Sequence, residues 1–426
     1  MSESRYLKRL FQAYYKEKQT EIPTINLFEQ REFGFITWEK QVMNRHIGFN
    51  SLINLKKYFV SNTPKHAYSS GSLYQQPENQ NMEGKGYRGC DLIIDIDVDH
   101  FYTPCKDDHD IWYCKECGKS GKGMLEKCPG CGKLKLKTLN WICEDCLNVA
   151  KNQIIRLIYD FLLPDFGMEI AEMKIAFSGH RGYHLKIENN KIRTLSSDER
   201  REIVDYITGE NISFESLGFQ ERGGRIYGFS KENIGWSQKI IRKIEELLRK
   251  PKSEIENLLS NSRMFKFNQN LIKSFINYKD DLLNIILNDQ KNYWTIEGFG
   301  LTTWHKFLKM MVKDICIEVD VPVSVDIHRL IRYPGSLHGK TGFKVQELFP
   351  DELDDFNPLD EVDERLDPIV FKSEKQITQK LEIIEPEVPV TKIKGETYGS
   401  YKKGDEIDVP HHFAVFLLCK GVAKTV

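Results

Sequence analysis

Several short stretches of the chain alternate apolar and polar residues, the pattern of β-strands with one buried face. The clearest is CDLIIDIDVDH, residues 90–100, where Asp91, Asp95, Asp97 and Asp99 all fall at odd-numbered positions. Residues i and i+2 of a strand share a face and lie about 6.6 Å apart. Neighbouring carboxylates repel unless a divalent cation neutralises them, so Asp95 and Asp97 predict a metal site suited to phosphoryl chemistry. An exposed edge strand with solvated acids is the alternative.

A second strand pattern, MKIAFSGHRGYHLKI, covers residues 173–187. It predicts a strand ending at Ser178, a turn from Gly179 to Gly182 and a returning strand. The turn gathers Ser178, Arg181 and His184, and the planar fork of Arg181 suits phosphate oxygens. An ordinary hairpin with a polar tip would give the same pattern.

A third pattern, VPVSVDIHRLIRYPGSLHGKTGF, covers residues 321–343. The alternation of Val323, Val325 and Ile327 predicts a strand, on which Asp326 would serve as a third metal carboxylate. Cationic side chains then crowd a Pro-Gly turn, and a triphosphate would neutralise them. They are Arg329, Arg332, His338 and Lys340.

The stretch from about 196 to 300 predicts helices, because SSDERREIVDYI and WSQKIIRKIEELLRK repeat apolar residues at i, i+3 and i+4. Extended pieces follow from 384 to 410, and a short helix is expected to close the chain. A formal net charge of −1 argues against a uniformly basic coat, so a nucleic-acid contact should be local. The chain shows neither a leader nor a run of 18 apolar residues, which predicts a soluble intracellular protein.

Seven of the ten cysteines lie between residues 105 and 146, and six of them form three CxxC pairs. In a cytosolic protein such pairs indicate metal rather than disulfides. One structural zinc ribbon is predicted from Cys114, Cys117, Cys128 and Cys131. A second zinc site is predicted from Cys105, Cys143 and Cys146, with His109 as the best local fourth ligand and His100 behind it. Four protein ligands leave no open position, so both sites should be structural.

Together, the three motifs resemble those of the catalytic small subunit of archaeal and eukaryotic DNA primases. Their sequences are closer to the archaeal branch. REFGF at 31–35, NRHIGF at 44–49 and VPHHFAVFLLCKGVA at 409–423 extend the resemblance over most of the chain. It implies an α+β fold with a mixed-sheet primase-polymerase core built from 1–100, 147–195 and 301–426. Residues 101–146 would be a zinc-binding insertion, and residues 196–300 an inserted helical lobe.

The resemblance also implies roles for individual residues. Two Mg²⁺ or Mn²⁺ ions would be held by the three catalytic carboxylates, Asp95, Asp97 and Asp326. The triphosphate would be held by Ser178, Arg181, His184, Arg332, His338 and Lys340, with Arg45 and Glu32 near the nucleotide. Pairing of these last two within the core is the alternative.

In this family a single zinc site follows the DxD strand, and Cys105, Cys143 and Cys146 match it. The ribbon would then be an insertion within that site. The family's second ligand could instead be Cys114, which would redistribute the three CxxC pairs.

The function implied is template-directed synthesis of short RNA primers from nucleoside triphosphates on single-stranded DNA for replication, with synthesis of DNA primers left open. The partner would be a large subunit that carries an iron-sulfur cluster, and the location would be the cytoplasm, at the nucleoid if archaeal. Two alternatives stay open. One is a repair-type primase-polymerase that extends existing ends, and the other is a zinc-ribbon nucleic-acid-binding scaffold without activity.

Overall fold

The computed structural model describes residues 3–230, 232–262, 264–288, 292–360, 363–372 and 377–426. They form an α+β fold that divides into two compact units. The first unit comprises Met1–Ile155, Glu169–Arg201 and Val319–Val426, and the second comprises Arg156–Met168 and Glu202–Glu318. The second unit and the predicted helical insertion share most of their residues. Among the described residues, no helix is both long and apolar enough to span a membrane.

A four-stranded antiparallel sheet, here called the site sheet, lies in the first unit. Its strands run in the order Gln346–Leu348, Met173–Phe177, Gly182–Ile187 and Leu92–Asp97. Alternate residues give it one apolar face, on which Ile94, Ile96 and Leu185 are completely buried. The other face carries polar side chains. The strand–turn–strand predicted over residues 173–187 is confirmed.

A second antiparallel sheet of the same unit, here called the flanking sheet, contributes the other wall of the site. Its strands run in the order Leu330–Arg332, His66–Tyr74, Arg31–Ile36 and Asn44–Ile47, and Tyr87–Cys90 also pairs with His66–Tyr74. A cavity of about 70 Å³ lies between the two sheets. His184 and Lys186 of the site sheet line it, as do Ser69 and Arg332 of the flanking sheet.

The remaining strands form smaller antiparallel sheets. In the cysteine-rich region Ile111–Tyr113 pairs with Ser120–Lys122 and Lys137–Leu139. Near the C-terminus Thr378–Ile383 pairs with Glu406–Pro410 and Ala423–Thr425. Glu387–Val388 pairs with Tyr401–Lys402, and between them Thr391–Ile393 and Glu396–Tyr398 form a short hairpin. These strands confirm the extended pieces predicted over 384–410.

Helices surround the sheets of the first unit. Those lying or beginning there are Glu3–Glu17, Leu52–Asn62, Lys106–His109, Glu144–Arg156, Asn190–Arg193, Ser197–Thr208, Val321–Val325 and His411–Lys420. The last confirms the predicted closing helix, although the strand Ala423–Thr425 follows it. The first helix packs Phe11 and Tyr15 into a fully buried aromatic cluster with Phe33 and Phe59.

The strand predicted over Val323–Ile327 is wrong, because Val321–Val325 forms a short α-helix. Asp320 caps its N-terminus by accepting the backbone N–H of Val323 at 3.4 Å. Pro322 lies in the first turn, where its fixed φ suits a helix and its missing N–H costs nothing. Asp326 follows the helix, and its Oδ1 accepts the backbone N–H of His328 at 2.8 Å.

The second unit is mostly helical. Its segments are the π-helix Leu157–Leu162 and the α-helices Leu163–Phe166, Trp236–Arg249, Lys252–Ser260, Gln269–Asn288 and Leu301–Ile315, with one hairpin of Gln220–Arg222 and Arg225–Tyr227. Buried aromatic residues form its core, where the ring of Trp304 lies 5.6 Å from Trp294 and 5.4 Å from Phe299. The helix predicted from WSQKIIRKIEELLRK is confirmed as Trp236–Arg249.

Candidate active site

The polar face of the site sheet brings Asp95, Asp97 and His184 together. Asp97 pairs across the strands with Gly182, and Asp95 pairs with His184. Nε2 of His184 lies 3.3 Å from Oδ1 of Asp95. Only glycine fits at 182, because an added Cβ would lie 2.3 Å from the carbonyl oxygen of Ile96. The SGHRGYH turn is thereby held against the two carboxylates.

The side chain of Asp95 is mostly buried, with 16% of its surface exposed. Its Oδ1 makes no hydrogen bond in the structure. Burial, together with the charges of Asp97 and Asp320, raises the pKa of Asp95 to about 8. Burial and Asp99 likewise raise the pKa of Asp97. Clustered buried carboxylates of this kind are stabilised in the ionised form by a divalent cation, so the residues present fit a metal site.

The third carboxylate that the structure brings to this pair is Asp320 rather than the predicted Asp326. The backbone N–H of Asp320 donates to the carbonyl oxygen of Asp95 at 2.9 Å. Its Oδ2 lies 3.3 Å from Nε2 of His100, and its charge raises the pKa of Asp95. Asp326 lies at the opposite end of the short helix Val321–Val325 and caps the backbone at His328. This short helix separates the two residues, with Asp320 at its start and Asp326 at its end.

A cluster of cations and histidines lies beside these carboxylates. Nη1 of Arg332 contacts Nδ1 of His66 at 2.8 Å, and the rings of His66 and His338 are 4.9 Å apart. The ring of His338 stacks on His180 at 5.2 Å, and Nζ of Lys420 lies 2.9 Å from Nε2 of His180. We call these five residues the cationic cluster.

The cationic cluster holds little positive charge on its imidazoles. Burial first, and then neighbouring cations, lower the pKa values of His66, His180 and His338 well below the usual value. Burial and the charge of Arg181 lower the pKa of Lys420 to about 7. Cations crowded into a buried site in this way favour binding of an anion. Arg332 and Arg329 also lower the pKa of Asp95, so the cluster and the carboxylates act on one another.

Arg181 occupies a different position from the one predicted for a phosphate ligand. Its guanidinium is completely buried, and Nη1 donates to both oxygens of Asp110 at 2.8 and 2.9 Å. Nε donates to Asp99 at 2.7 Å, and Nη1 also donates to the carbonyl oxygen of Trp141 at 2.9 Å. The fork is therefore filled by carboxylates. Ser178 begins the same turn, where its Oγ accepts the backbone N–H of His180 at 3.3 Å.

Glu32 and Arg45 form an ion pair at the flanking sheet. Nε of Arg45 lies 2.8 Å from Glu32, and the ammonium of Lys85 lies 2.8 Å from the other oxygen of the same carboxylate. Glu32 and Lys85 are fully buried, whereas the Arg45 side chain is about one-third exposed. Pairing within the core, which the sequence left open as an alternative, accounts for the contacts of Glu32. Lys340 is exposed, in the turn that follows His338.

The cysteine-rich region contains two groups of potential metal ligands, in the combinations predicted. Cys114, Cys117, Cys128 and Cys131 form one, and Cys105, His109, Cys143 and Cys146 form the other, with ligand atoms within 4.8 Å of one another in each. The Sγ atoms of Cys114 and Cys131 are 3.4 Å apart. Thiolates bound 2.3 Å from a tetrahedral zinc would lie about 3.8 Å apart, so both groups fit zinc.

Four residues of this site were not predicted from the sequence: Asp320, His66, His180 and Lys420. Asp320 carried a usable signal, since an Asp two residues before a proline is typical of a helix N-cap. The other three lie within strand, turn and helix segments whose local patterns say nothing about their distant partners.

The chain is similar to known proteins over nearly its whole length. Residues 136–348 match the family model described as DNA primase small subunit. The DNA primase small subunit of Archaeoglobus fulgidus is 31% identical over 422 residues, which cover 98% of each chain. That of Methanocella arvoryzae is 30% identical over 441 residues, covering 98% of this chain and 97% of the relative. That of Thermoplasma volcanium is 29% identical over 422 residues, covering 98% and 96%. The chain therefore belongs to the DNA primase small subunit family.

Proposed function

We propose that this chain is the catalytic subunit of a DNA primase and synthesises short primers from nucleoside triphosphates on a single-stranded DNA template. One observation carries the proposal: the mostly buried carboxylate of Asp95, whose Oδ1 makes no hydrogen bond, lies in the same site as the cationic cluster. Carboxylates bind divalent cations, and arginine and lysine bind phosphate oxygens. A metal–nucleoside triphosphate complex would bind the carboxylates through its metal ions and the cationic cluster through its phosphates.

Asp95, Asp97 and Asp320 are the residues that would hold two divalent cations, Mg²⁺ or Mn²⁺. When bound, such ions activate a hydroxyl nucleophile and stabilise the negative charge of the leaving pyrophosphate. The strand Leu92–Asp97 keeps Asp95 and Asp97 on one rigid, apolar-backed face. The N-cap position of Asp320 fixes the third carboxylate beside them.

The neighbouring residues would bind and orient the nucleotide. Arg332, His338 and Lys340 would hold the triphosphate. Burial first, and then Arg332, lower the pKa of His184 to about 3, so its ring is neutral. The buried Nδ1 of this ring makes no hydrogen bond within the protein, which suits it to a nucleotide hydroxyl.

The proposal also includes structural zinc ions and a partner subunit. We propose two structural zinc ions, one in each of the two groups of ligands, because each group offers four ligands and no open position. We also propose that the chain acts with a primase large subunit carrying an iron-sulfur cluster, and that it works on replicating DNA in the cytoplasm.

The direct test supplies purified protein with an unprimed single-stranded template, all four ribonucleoside triphosphates and either Mg²⁺ or Mn²⁺. We expect dinucleotides and short primers. Extension that requires an added primer would instead identify a repair-type primase-polymerase. Template binding without nucleotide addition in any of these conditions, with or without a primer, would identify an inactive scaffold.

A matched pair of variants tests the metal ligands. Asp320→Asn should lower nucleotide addition by orders of magnitude while template binding stays nearly intact. Asp326→Asn, an identical chemical change six residues away, should lose little activity. The reverse result would restore Asp326 as the third ligand and exclude Asp320.

A further inference from the structure

The second group of zinc ligands is joined to the active site by an unbroken series of polar contacts. Nδ1 of His109 lies 2.9 Å from Oδ1 of Asp110, while its Nε2 lies 3.4 Å from Sγ of Cys146. His109 therefore directs one ring nitrogen to the cysteines and the other to a carboxylate. A carboxylate on the second nitrogen of a zinc-binding histidine fixes the orientation of the ring and strengthens the ligand.

Asp110 also contacts the SGHRGYH turn, through Arg181. Its two oxygens accept from Nη1 of Arg181 at 2.8 and 2.9 Å, and Oδ1 also accepts the backbone N–H of Trp141 at 2.9 Å. Asp110 is 1% exposed and Arg181 is completely buried, so water does not compete for either partner.

Arg181 makes the final connection to the catalytic strand. Its Nε donates to Oδ1 of Asp99 at 2.7 Å, and its carbonyl oxygen accepts the backbone N–H of Val98 at 3.2 Å. The backbone N–H of Asp99 in turn donates to Oδ1 of Asp97 at 2.9 Å. The orientation of the Asp97 carboxylate thus depends on a turn that Arg181 holds in place.

We propose that Asp110 is a positioning residue that couples the zinc site of His109 to the catalytic carboxylates through Arg181. This inference rests on the proposed function, since it assigns the Asp97 carboxylate to divalent-cation binding. Zinc at this site would then do more than stabilise the fold locally. The ribbon of Cys114, Cys117, Cys128 and Cys131 shares none of these contacts, so its zinc should be uncoupled from the active site.

Coupling between two binding sites is reciprocal, and this gives a test that does not depend on activity. The protein carrying its zinc is challenged with a zinc-selective fluorescent chelator, with and without saturating Mg²⁺. In the wild type, Mg²⁺ should slow release of one of the two zinc ions several-fold. In Asp110→Asn, release of that ion should be about 10–100-fold faster and should no longer respond to Mg²⁺. Asp108 is exposed on the short helix Lys106–His109, so Asp108→Asn should behave as the wild type.

Binding of Mn²⁺, followed by electron paramagnetic resonance of the free ion, provides the converse measurement. Asp110→Asn should weaken Mn²⁺ binding about tenfold, and Asp108→Asn should not change it. Because Asp110→Asn could fail to fold, His109→Cys serves as a second variant. It keeps four zinc ligands but removes the ring that contacts Asp110, so two zinc ions should remain while Mn²⁺ binding weakens.

The outcomes separate this inference from the proposed function. Unchanged Mn²⁺ affinity in folded Asp110→Asn, or in zinc-loaded His109→Cys, would overturn the coupling while leaving the function intact. A wild-type protein that binds no Mn²⁺ would overturn both, because it would remove the metal site itself. Zinc release that ignores Mg²⁺ in a wild type that does make primers would overturn the coupling alone.

Discussion

Two acids of the CDLIIDIDVDH stretch, Asp91 and Asp95, should divide into one that stabilises the fold and one that costs stability. Asp91 is fully buried between two guanidinium groups, with Oδ2 2.6 Å from Arg31 and Oδ1 2.6 Å from Arg193. Asp91→Asn keeps the shape but leaves two buried cations uncompensated, apart from Glu188 at 3.9 Å from Arg31. Breaking a buried ion pair costs about 3–5 kcal/mol. The melting temperature should therefore fall on the order of 10 °C.

Asp95→Asn should have the opposite effect on stability. A carboxyl group whose pKa rises from 3.8 to about 8 on folding destabilises the folded protein when ionised. This loss of stability grows as the pH rises from about 4 to about 8. The amide removes it, so the melting temperature at neutral pH should stay unchanged or rise. Primer synthesis should nevertheless be abolished, because the amide cannot replace a metal-binding carboxylate.

Thermal unfolding of both variants, in buffer without Mg²⁺ or Mn²⁺ and with the zinc left in place, checks this division. Wild-type protein between pH 5 and 8 provides the reference, and its decline in stability should be shallower in Asp95→Asn. Equal destabilisation by Asp91→Asn and Asp95→Asn would refute the assignment of separate roles. Retained primer synthesis in Asp95→Asn would refute the metal site.

Three further predictions concern the phosphate site, the flanking sheet and zinc. Arg332→Ala removes a charge-assisted contact worth about 1.5–3 kcal/mol, so the KM for nucleoside triphosphate should rise on the order of tenfold to a hundredfold in steady-state assays; weaker DNA binding with an unchanged KM would place Arg332 on the template instead. Lys85→Met leaves the buried Glu32 with one fewer cation and should lower the free energy of unfolding by about 3 kcal/mol in urea titrations, a result that an unchanged midpoint would contradict. Metal analysis should find two zinc ions per chain and one after joint replacement of Cys128 and Cys131 by Ser, whereas one zinc in the wild type would disprove two independent sites.

The sequence predicted the parts of the site whose geometry is local. Alternation on one strand is enough to put Asp95 and Asp97 on a common face, and the glycines of SGHRGYH are enough to predict the turn. The CxxC pairs likewise limit zinc ligands to short range. In each case the spacing within a few residues determines the relevant distance.

The parts of the site that the sequence did not predict depended on competing local patterns or on residues distant in the sequence. Alternating valines favoured a strand before Asp326, but the N-cap residue Asp320 and the proline after it favoured a helix, and the helix formed. Arg181 has the right chemistry for phosphate, yet Asp110, 71 residues earlier in the chain, occupies its fork. Nothing near His66 in sequence indicates that Arg332, 266 residues later, would contact it.

The pairing of the flanking sheet also sets an order for folding during synthesis. Its strand His66–Tyr74 receives Leu330–Arg332 only after more than 250 further residues have been made. Most of the helical unit, by contrast, is one continuous stretch from Glu202 to Glu318. Contacts that are distant in sequence form slowly, because a long loop must be closed first. A chain interrupted before residue 330 would therefore display an unpaired strand edge, the kind of surface that recruits other chains into aggregates.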